Sequence, residues 1–567
     1  MKKYVASIVA ILLLLTAVPA FAANEVIAVN VQINDKALQF PDAQPHERNG
    51  IPMVPIRTAA DNLGLDVSFD SKTRDIVLEG PGVHIAFTTG SSVANDGDAR
   101  LSFDTPAITV KNRVYVPLAF FEKVLGLTTS YDTATKTASI AAMPVAPETT
   151  VEHVVSLLQE GKHQQLADRY FADNLKQIIS MDELDAVWKQ ITATAGSYIE
   201  IIDVYQAMMD ENIELTEAHL KFEKANFKLV YPTDNNGKFM DLKLMPLPIE
   251  AEKPQEVVEE EIVIGKGTAY ELGGTLTLPK NVNGPVPAIV LVHGSGPNDR
   301  DETAFGFKPF RDIAYGLAKQ GVAVLRYDKR TYAHANSFTP EDAKKITVKE
   351  ETVDDAILAG KLLKSDKRID STQVYLAGHS LGGMLAPRID AEGGDFAGLV
   401  LIAGSPRTLW EIIHDQGLDA VAAMDANHPA RPATEAWLAS EYAKAKSIAD
   451  MSAAEAAKTT AFGIPAIYFK EMDSHSTADY AAKLTKPVLV LQGETDFQVY
   501  ADKDYVRWQE LFKGKTNASF KLYPNMNHFL VEYDGPGAGT TKEYLAPGLV
   551  SPKLIDDIAS WILKLQK

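Results

Sequence analysis

The sequence predicts a multidomain protein whose C-terminal part is a mostly parallel, doubly wound α/β sheet with a helical cap, preceded by an α+β domain and a duplicated β/α module. Three observations carry that expectation. The chain has 567 residues, enough for about three or four domains at roughly 100 to 200 residues each. A set of residues near the N-terminus recurs at a constant offset of 62. From Ile262 onward, short apolar runs alternate with helix-patterned stretches, as in a sheet with a parallel core and helices on both faces.

Composition narrows the classes. Apolar residues make up 46% and charged residues 23%, the ordinary globular mix, which excludes a disordered, collagen-like or polytopic membrane chain. The 56 Lys and Arg against 75 Asp and Glu leave a formal charge of −19. That argues against nucleic acid as a partner, because tracking phosphates needs a basic footprint, and equally against anionic lipid. Cys is 0, so disulfides, cysteine nucleophiles, iron–sulfur clusters, Cys-type zinc sites and attachment through a lipid-modified Cys are excluded together.

The first element is a leader. Lys2 and Lys3 precede the apolar run Val5 to Val18 and then Ala20-Phe21-Ala22, the order of a secretory signal peptide over 1–22 with cleavage after Ala22. The run is shorter than the roughly 20 residues a spanning helix needs, so no membrane span is expected once the leader is removed. Without Lys2 and Lys3 the balance is 54 basic to 75 acidic residues, a charge of −21. Ile558 to Lys567 carries neither a long apolar tail nor a sorting-type ending, so export without a covalent anchor is expected. An exported chain without disulfides must rely on core size, which this length permits.

The second element is the duplication. Val54-Pro55-Ile56 matches Val116-Pro117-Leu118, Leu63-Gly64-Leu65 matches Leu125-Gly126-Leu127, Ser68-Phe69-Asp70 matches Ser130-Tyr131-Asp132, and Thr73 matches Thr135. Each copy reads as an apolar strand, a helix (Ile56 to Leu63, Leu118 to Leu125), a Gly at the helix end, and a strand entered through an Asp turn. These marks, over 24–142, resemble the copper amine oxidase N-terminal-like domain, a stalk-type module of exported proteins. The resemblance implies a Gram-positive bacterial protein, secreted or held at the cell surface. The module then serves either a cell-wall or surface partner or as a plain spacer. It does not bring a metal, since His46 and His84 are the only histidines in the segment and form no His-x-His pair.

The third element follows the joint Met143-Pro144-Val145-Ala146-Pro147. Helical spacing runs through Val151 to Ile179 and Met181 to Ala193. Strand-like runs follow at Tyr198 to Tyr205, His219 to Tyr231 and Phe239 to Leu244, the last two parted by the hairpin signal Asn236-Gly237. Helices first and an antiparallel sheet after make an α+β domain over 147–247. It resembles the cystatin-like or nuclear-transport-factor-like domains of unknown function that precede hydrolases in exported bacterial proteins. Its histidines, His153, His163 and His219, are scattered and read as polar positions. Residues 248–261, with six glutamates around Pro254, read as a self-repelling acidic linker.

The fourth element, 262–567, holds the chemistry. Ala288 to Val292, Val322 to Tyr327, Val374 to Ala377, Leu399 to Ala403 and Val488 to Gln492 are largely apolar runs, as strands buried on both faces should be. The third leads into Gly378-His379-Ser380-Leu381-Gly382 and then a helix. In that context Gly-x-Ser-x-Gly is a nucleophile elbow, where Gly378 and Gly382 leave room for the strained turn that lifts Ser380 out of the strand end. A serine hydroxyl needs a base to take its proton, and the base needs a carboxylate to hold its tautomer. On this fold they follow in the order Ser, acid, His. Asp496, in the acidic loop after Val488 to Gln492, and His528, after Leu522-Tyr523, are the acid and base. Glu494 competes for the acid in the same loop, and His475 is a poorer base because it precedes the acid.

An oxyanion hole needs two backbone N–H donors. Leu381 follows the nucleophile directly, and Ser295 stands in His293-Gly294-Ser295-Gly296-Pro297 after the first of the five strands. His293 itself reads as architectural. The clusters Asn298-Asp299-Arg300-Asp301-Glu302 and Arg326-Tyr327-Asp328-Lys329-Arg330 read as loop-tying ion pairs. The Ala-rich, helix-patterned stretch at about 405–478 reads as a cap over Ser380, with Phe462 to Phe469, its most apolar part, the expected acyl pocket.

Together, His293 to Asp301, Gly378 to Gly382, Gln492-Gly493-Glu494-Thr495-Asp496 and Asn527-His528 resemble the α/β-hydrolase superfamily, in particular bacterial carboxylesterases and the related serine-aminopeptidase-like group. The resemblance implies a serine carboxylesterase taking a small-molecule ester, with a short acyl or aryl group, and needing neither metal nor organic cofactor. Two alternatives stand beside it. A serine aminopeptidase or peptidase of the same fold would need a carboxylate in the cap for the peptide amine, such as Glu471 or Asp473. A non-catalytic surface binding protein would have no reason to keep an intact Ser, Asp and His set.

Overall fold

The computed structural model of the protein describes residues 27–34, 36–70, 73–80, 83–96, 99–141, 147–210, 212–235, 237–339, 345–424, 426, 428 and 430–566. The leader expected over 1–22, joint residues 143–146 and Asn236 of the hairpin signal lie outside them. The chain divides into two compact units, Met1–Phe171 and Ala172–Lys567. The helices expected to open a single domain over 147–247 are thereby shared out. Pro147–Gln159 and His163–Tyr170 belong to the first unit, where Arg169 reaches Asp66 at 3.4 Å. Asp173–Ile178 and Met181–Ala195 belong to the second.

The first unit is rich in β-structure. Strand Ile51–Pro55 pairs antiparallel with Arg113–Pro117, with Val54 opposite Val116 and both buried. Each strand ends in a proline and runs directly into a short helix, Ile56–Asn62 or Leu118–Lys123, since proline ahead of a first helical turn costs no hydrogen bond. Gly64 and Gly126, at φ of 69° and 66°, turn the chain after the helices. Ile56, Ala59, Phe120 and Phe121 join Val54 and Val116 in one core. His46 lies edge-on to Tyr115, while His84 is exposed beside Glu79 in a different sheet. Among the described residues no three metal-ligating side chains converge, so the donor set does not fit a copper site.

In the second unit the helices Asp173–Ile178 and Met181–Ala195 are followed by a four-stranded antiparallel sheet, Tyr198–Met208, Glu214–Phe222, Asn226–Thr233 and Lys243–Pro246, in chain order. Here the run expected as one strand from His219 to Tyr231 is two, with a turn over Glu223-Lys224-Ala225. No Gly or Pro marks that turn; its mark is a slip in the apolar alternation, from the buried even positions Leu220 and Phe222 to the buried odd positions Phe227 and Leu229. Trp188 packs on Phe222.

An eight-stranded sheet follows, β1 (Val257–Ile264), β2 (Leu272–Pro279), β3 (Val286–Val292), β4 (Ala323–Tyr327), β5 (Ile369–His379), β6 (Leu399–Ile402), β7 (Val488–Gly493) and β8 (Ala518–Tyr523). Its order is β1-β2-β4-β3-β5-β6-β7-β8, antiparallel from β1 to β4 and parallel from β4 onward. The five apolar runs are β3 to β7. Every residue of β3 is buried, and alternate side chains enter two cores, Val290 and Val292 on one face, Ile289 and Leu291 on the other. The helices around the sheet include, in chain order, α1 (Pro309–Lys319), α2 (Asp354–Ser365), α3 (Leu381–Ile389), the cap helices α4 (Leu409–Ala423), α5 (Arg431–Ser447) and α6 (Ala466–Asp473), and the terminal α7 (Pro552–Lys564). Side chains of α2 and α3 fill the first core, those of α1 and α7 the second. Among the described residues no helix is long and apolar enough to cross a membrane.

The acidic segment 248–261 departs from the linker expected of it. Val257 to Glu261 form most of β1, and the glutamates meet cations: Glu259 with Arg326, Glu260 with Arg368, Glu261 with Arg300, Glu250 with Arg311. Charges that repel along the sequence are offset by arginines from distant loops, a strand and a helix, which a local window does not see.

Candidate active site

Chain order reverses beside β3, since β4 lies on one side of it and β5 on the other. The loops leaving β3 and β5 therefore emerge together at the carboxyl edge of the sheet, the usual crevice of open α/β folds. Ser380 leaves β5 at φ 51° and ψ −116°. Such a conformation costs a non-glycine residue about 1–3 kcal/mol and persists only where the surroundings impose it. Here the Ser380 N–H donates to the Ile402 carbonyl at 2.9 Å, and the Ser380 carbonyl accepts from Met384 at 3.0 Å. A Cβ on Gly378 would collide with the Gly382 carbonyl, and one on Gly382 with the Val292 carbonyl, so only glycine lets strand, elbow and helix pack this closely.

The structure brings Asp496 and His528 together and sets Ser380 and His528 in one cavity. Asp496 Oδ2 lies 2.8 Å from His528 Nδ1 and accepts from Gln492 Nε2 at 3.0 Å. Its Oδ1 accepts the N–H groups of Gln498 and Val499 at 2.8 and 2.9 Å. A carboxylate pinned by three donors leaves one direction for the imidazole. With the proton held on Nδ1, the Nε2 lone pair is free to act as a base. Glu494 is exposed. His475 bonds back to the Glu471 carbonyl at 2.8 Å and does not line the cavity.

On the other side of Ser380 stands the loop after β3. A Cβ on Gly294 would lie 3.1 Å from Ser380 Cβ and 3.6 Å from its Oγ, so a bare Gly294 is what leaves room for the Ser380 side chain. Among the described residues no acceptor takes the N–H of Ser295 or of Leu381. Asn298 Nδ2 ties the loop by donating to the carbonyls of Ser295 and Gly296, each at 3.1 Å. His293 is buried, its Nε2 3.0 Å from the Asp299 carbonyl. Burial pushes its pKa down to about 4, so it is neutral and architectural.

Behind both loops sits a buried charge pair. Glu302 Oε1 accepts the Gly294 N–H at 2.6 Å, and Glu302 Oε2 lies 2.9 Å from Nδ1 of His379, the residue before Ser380. The approach is charge to charge, off the line of a well-aligned hydrogen bond. His379 Nε2 in turn lies 2.9 Å from the His528 carbonyl. Burial alone would lower the His379 pKa and raise that of Glu302, but their mutual attraction wins and moves each the other way. The pair is imidazolium and carboxylate, and it joins the loops that carry Gly294, Ser380 and His528.

The cavity has a volume of about 1510 Å³. One wall is aliphatic and comes from the cap: Leu409, Ile412 and Ile413 of α4, then Ile464, Pro465 and Tyr468. A second group of lining residues is aromatic, Phe305, Phe497, Phe529 and Tyr544, whose rings pack on one another. Of the stretch Phe462 to Phe469 expected to form the acyl pocket, Phe469 instead packs inside the cap with Ala445, Ile448 and Ala461. Beneath the aromatic wall Glu543 is fully buried, with Oε2 accepting from Gly539 at 2.8 Å and Oε1 without a partner among the described residues. Burial, aided by the negative charge of Asp496 and opposed by the Gly539 bond, pushes its carboxyl up to about 7.

A family model for the copper amine oxidase N-terminal domain matches residues 32–140, and one for the alpha/beta hydrolase family matches residues 289–539. Esterase EstD of Thermotoga maritima is 34% identical over 394 residues, covering 69% of this chain and 90% of that one. The chain belongs to the alpha/beta hydrolase family. The likeness to EstD is longer than the 306 residues from Ile262 to Lys567, so it takes in chain ahead of the expected hydrolase domain. Among solved structures, this hydrolase is similar to Est1E from Butyrivibrio proteoclasticus, at 16% identity, 54% of this chain, 98% of that one and a TM-score of 0.35. The Pyrococcus furiosus esterase Pf2001 matches at 15% identity, 57% and 97% coverage and a TM-score of 0.35.

Several residues around the site of this hydrolase escape sequence reasoning. The stripe Leu409, Ile412, Ile413, Gln416, Ala420 and Ala423 follows helical spacing and lines the cavity, a pattern visible in the sequence that the apolar density of Phe462 to Phe469 outweighs. The loop-tying reading of the charge clusters fits Arg300 with Asp328 at 2.8 Å and Arg330 with Asp355 at 2.6 Å. Glu302 departs from it, because its partner is the histidine inside the elbow motif.

Proposed function

We propose that this chain is an exported serine carboxylesterase in which Ser380, His528 and Asp496 form the catalytic triad and the N–H groups of Ser295 and Leu381 form the oxyanion hole. The observation that carries the reading is the Asp496 carboxylate, fully engaged and 2.8 Å from His528 Nδ1, in the cavity wall that also presents the strained Ser380. As His528 Nε2 takes the hydroxyl proton, Ser380 Oγ attacks the ester carbonyl carbon, and Ser295 and Leu381 hold the resulting oxyanion. Collapse expels the alcohol, which receives the proton from Nε2. Water then repeats the sequence on the acyl-enzyme, releasing the acid and restoring Ser380.

The substrate class is a small-molecule ester with an apolar acyl or aryl group. A cavity of about 1510 Å³ exceeds the roughly 300–1,000 Å³ of ordinary ligand pockets, so acyl groups larger than butyryl fit the reading as well as short ones. The similarity to EstD, an esterase by name, points the same way. The peptidase alternative is weakened, because Glu471 is taken by Arg388 and Asp473 by the Trp410 indole, and neither lines the cavity.

Export rests on Lys2, Lys3 and the apolar run to Ala22. The first unit serves as a duplicated stalk, supported by the antiparallel pairing of Val54 with Val116, and the sheet from Tyr198 to Pro246 serves as the cystatin-like element.

The test is hydrolysis of p-nitrophenyl acetate, butyrate and octanoate by wild type and by Ser380→Ala, with fluorophosphonate labelling of both. Wild type should hydrolyse and label, and Ser380→Ala should do neither while melting at the same temperature. A Ser380→Ala protein that still turns over these esters would sink the proposal.

A further inference from the structure

Lys329 is 1% exposed, directly behind the loop after β3, in a charge cluster the proposed triad does not use. Its Nζ donates to the Gly294 carbonyl at 2.8 Å and lies 3.0 Å from Glu351 Oε1. The Gly294 carbonyl and the Ser295 N–H belong to one peptide plane and, in a trans peptide, point in opposite directions. A side chain that fixes the carbonyl therefore aims the N–H. An ammonium group at the oxygen also draws electron density along the conjugated C–N bond, which makes the N–H a stronger donor.

The clamp has two further parts. On its near side Gly294 donates its own N–H to the buried Glu302, so the residue is gripped by an anion at the nitrogen and a cation at the oxygen. On the far side Glu351, in a π-helical turn (Lys349–Val353) leading into α2, accepts from the Tyr468 hydroxyl at 2.6 Å. Tyr468 belongs to cap helix α6, and both it and Glu351 line the substrate cavity. A buried ion pair is often no more stable than the apolar packing that could replace it, so stability alone does not account for this one. This one touches the peptide that must bind the developing oxyanion.

We propose that Lys329 is a positioning residue for the oxyanion hole, holding and polarising the Gly294–Ser295 peptide, and that Glu351 and Tyr468 tie it to the cap, so that the cap and the oxyanion hole are set by one chain of contacts. The inference rests on the serine-hydrolase reading. It adds to that reading a route by which groups seated against Tyr468 affect turnover as well as binding.

The experiment uses full-length protein and p-nitrophenyl butyrate, with kcat, KM, melting temperature and fluorophosphonate inactivation rate measured on each variant. Lys329→Met should lower kcat on the order of 100-fold, the scale of losing one oxyanion donor, with KM within about threefold of wild type. Since that variant leaves Glu351 buried without a counter-charge and can fail to fold, Lys329→Met/Glu351→Gln removes both charges together and should show the same loss of kcat. Tyr468→Phe deletes only a hydroxyl and should lower kcat about three- to tenfold at unchanged melting temperature. A folded Lys329 variant with wild-type kcat overturns the proposal, and a Tyr468→Phe effect confined to KM, or no effect, overturns the link to the cap. If wild type does not hydrolyse the ester, or Ser380→Ala hydrolyses it equally well, the serine reading itself fails and takes this inference with it.

Discussion

Glu302 is the place where charge, rather than packing, holds the turn at Ser380 to the loop after β3. One oxygen of its buried carboxylate takes the Gly294 N–H at 2.6 Å and the other faces His379 Nδ1 at 2.9 Å. Glu302→Ala removes an acceptor from a buried N–H, worth about 1–3 kcal/mol, and one side of a buried ion pair, worth about 3–5 kcal/mol. The imidazolium can shed its proton once the carboxylate is gone, so the loss should fall at about 3 to 4 kcal/mol, well short of the sum. Glu302→Gln keeps the shape and the acceptor for Gly294 and so isolates the charge. His379 is raised above its ordinary 6.5, so its contribution is complete below that pH and is lost as pH rises through the raised value. Glu302 is held below its ordinary 4.5, so its contribution is present above that pH and is lost as pH falls through the lowered value. Wild type should therefore exceed Glu302→Gln most between pH 4.5 and 6.5, and the gap should close in alkaline solution. Urea unfolding followed by circular dichroism from about pH 5 to 9, with kcat measured alongside, reads both quantities. A gap that stays constant over that range would refute the ionised pair, and Glu302→Ala with full kcat and wild-type stability would refute its hold on Gly294.

Asp496→Asn should lower kcat on the order of 10⁴-fold by releasing the His528 tautomer, a loss read equally in the rate of fluorophosphonate labelling. Glu543, pushed up to about 7, favours its neutral form in the folded state, so its contribution to stability is complete below its ordinary 4.5 and is lost as pH rises through 7. Glu543→Gln should accordingly gain up to about 3 kcal/mol on wild type at about pH 8.5 and little at pH 5, which parallel denaturation curves would establish. Gly382→Ala drives a methyl group into the Val292 carbonyl and should cost about 2–3 kcal/mol or more, visible as a lowered melting temperature together with lost hydrolysis.

The local parts of this protein are legible in its residues alone. The five apolar runs are strands because burial on both faces leaves a mark on every residue, and the strand–elbow–helix around Ser380 is legible because its glycines are demanded by contacts within a few residues. The places of Ser380, Asp496 and His528 after β5, β7 and β8 could likewise be read off, since each follows a strand-like run. The pairing of Glu259, Glu260 and Glu261 with arginines, the burial of Phe469 inside the cap and the grip of Glu302 and Lys329 on Gly294 could not. Those depend on which distant residue arrives opposite a given side chain. Hydrophobic periodicity reports only whether a position faces a core, whereas a charged group is stabilised by its particular partner. Only the tertiary structure, by setting the loops of β3, β4 and β5 side by side, decides who that partner is.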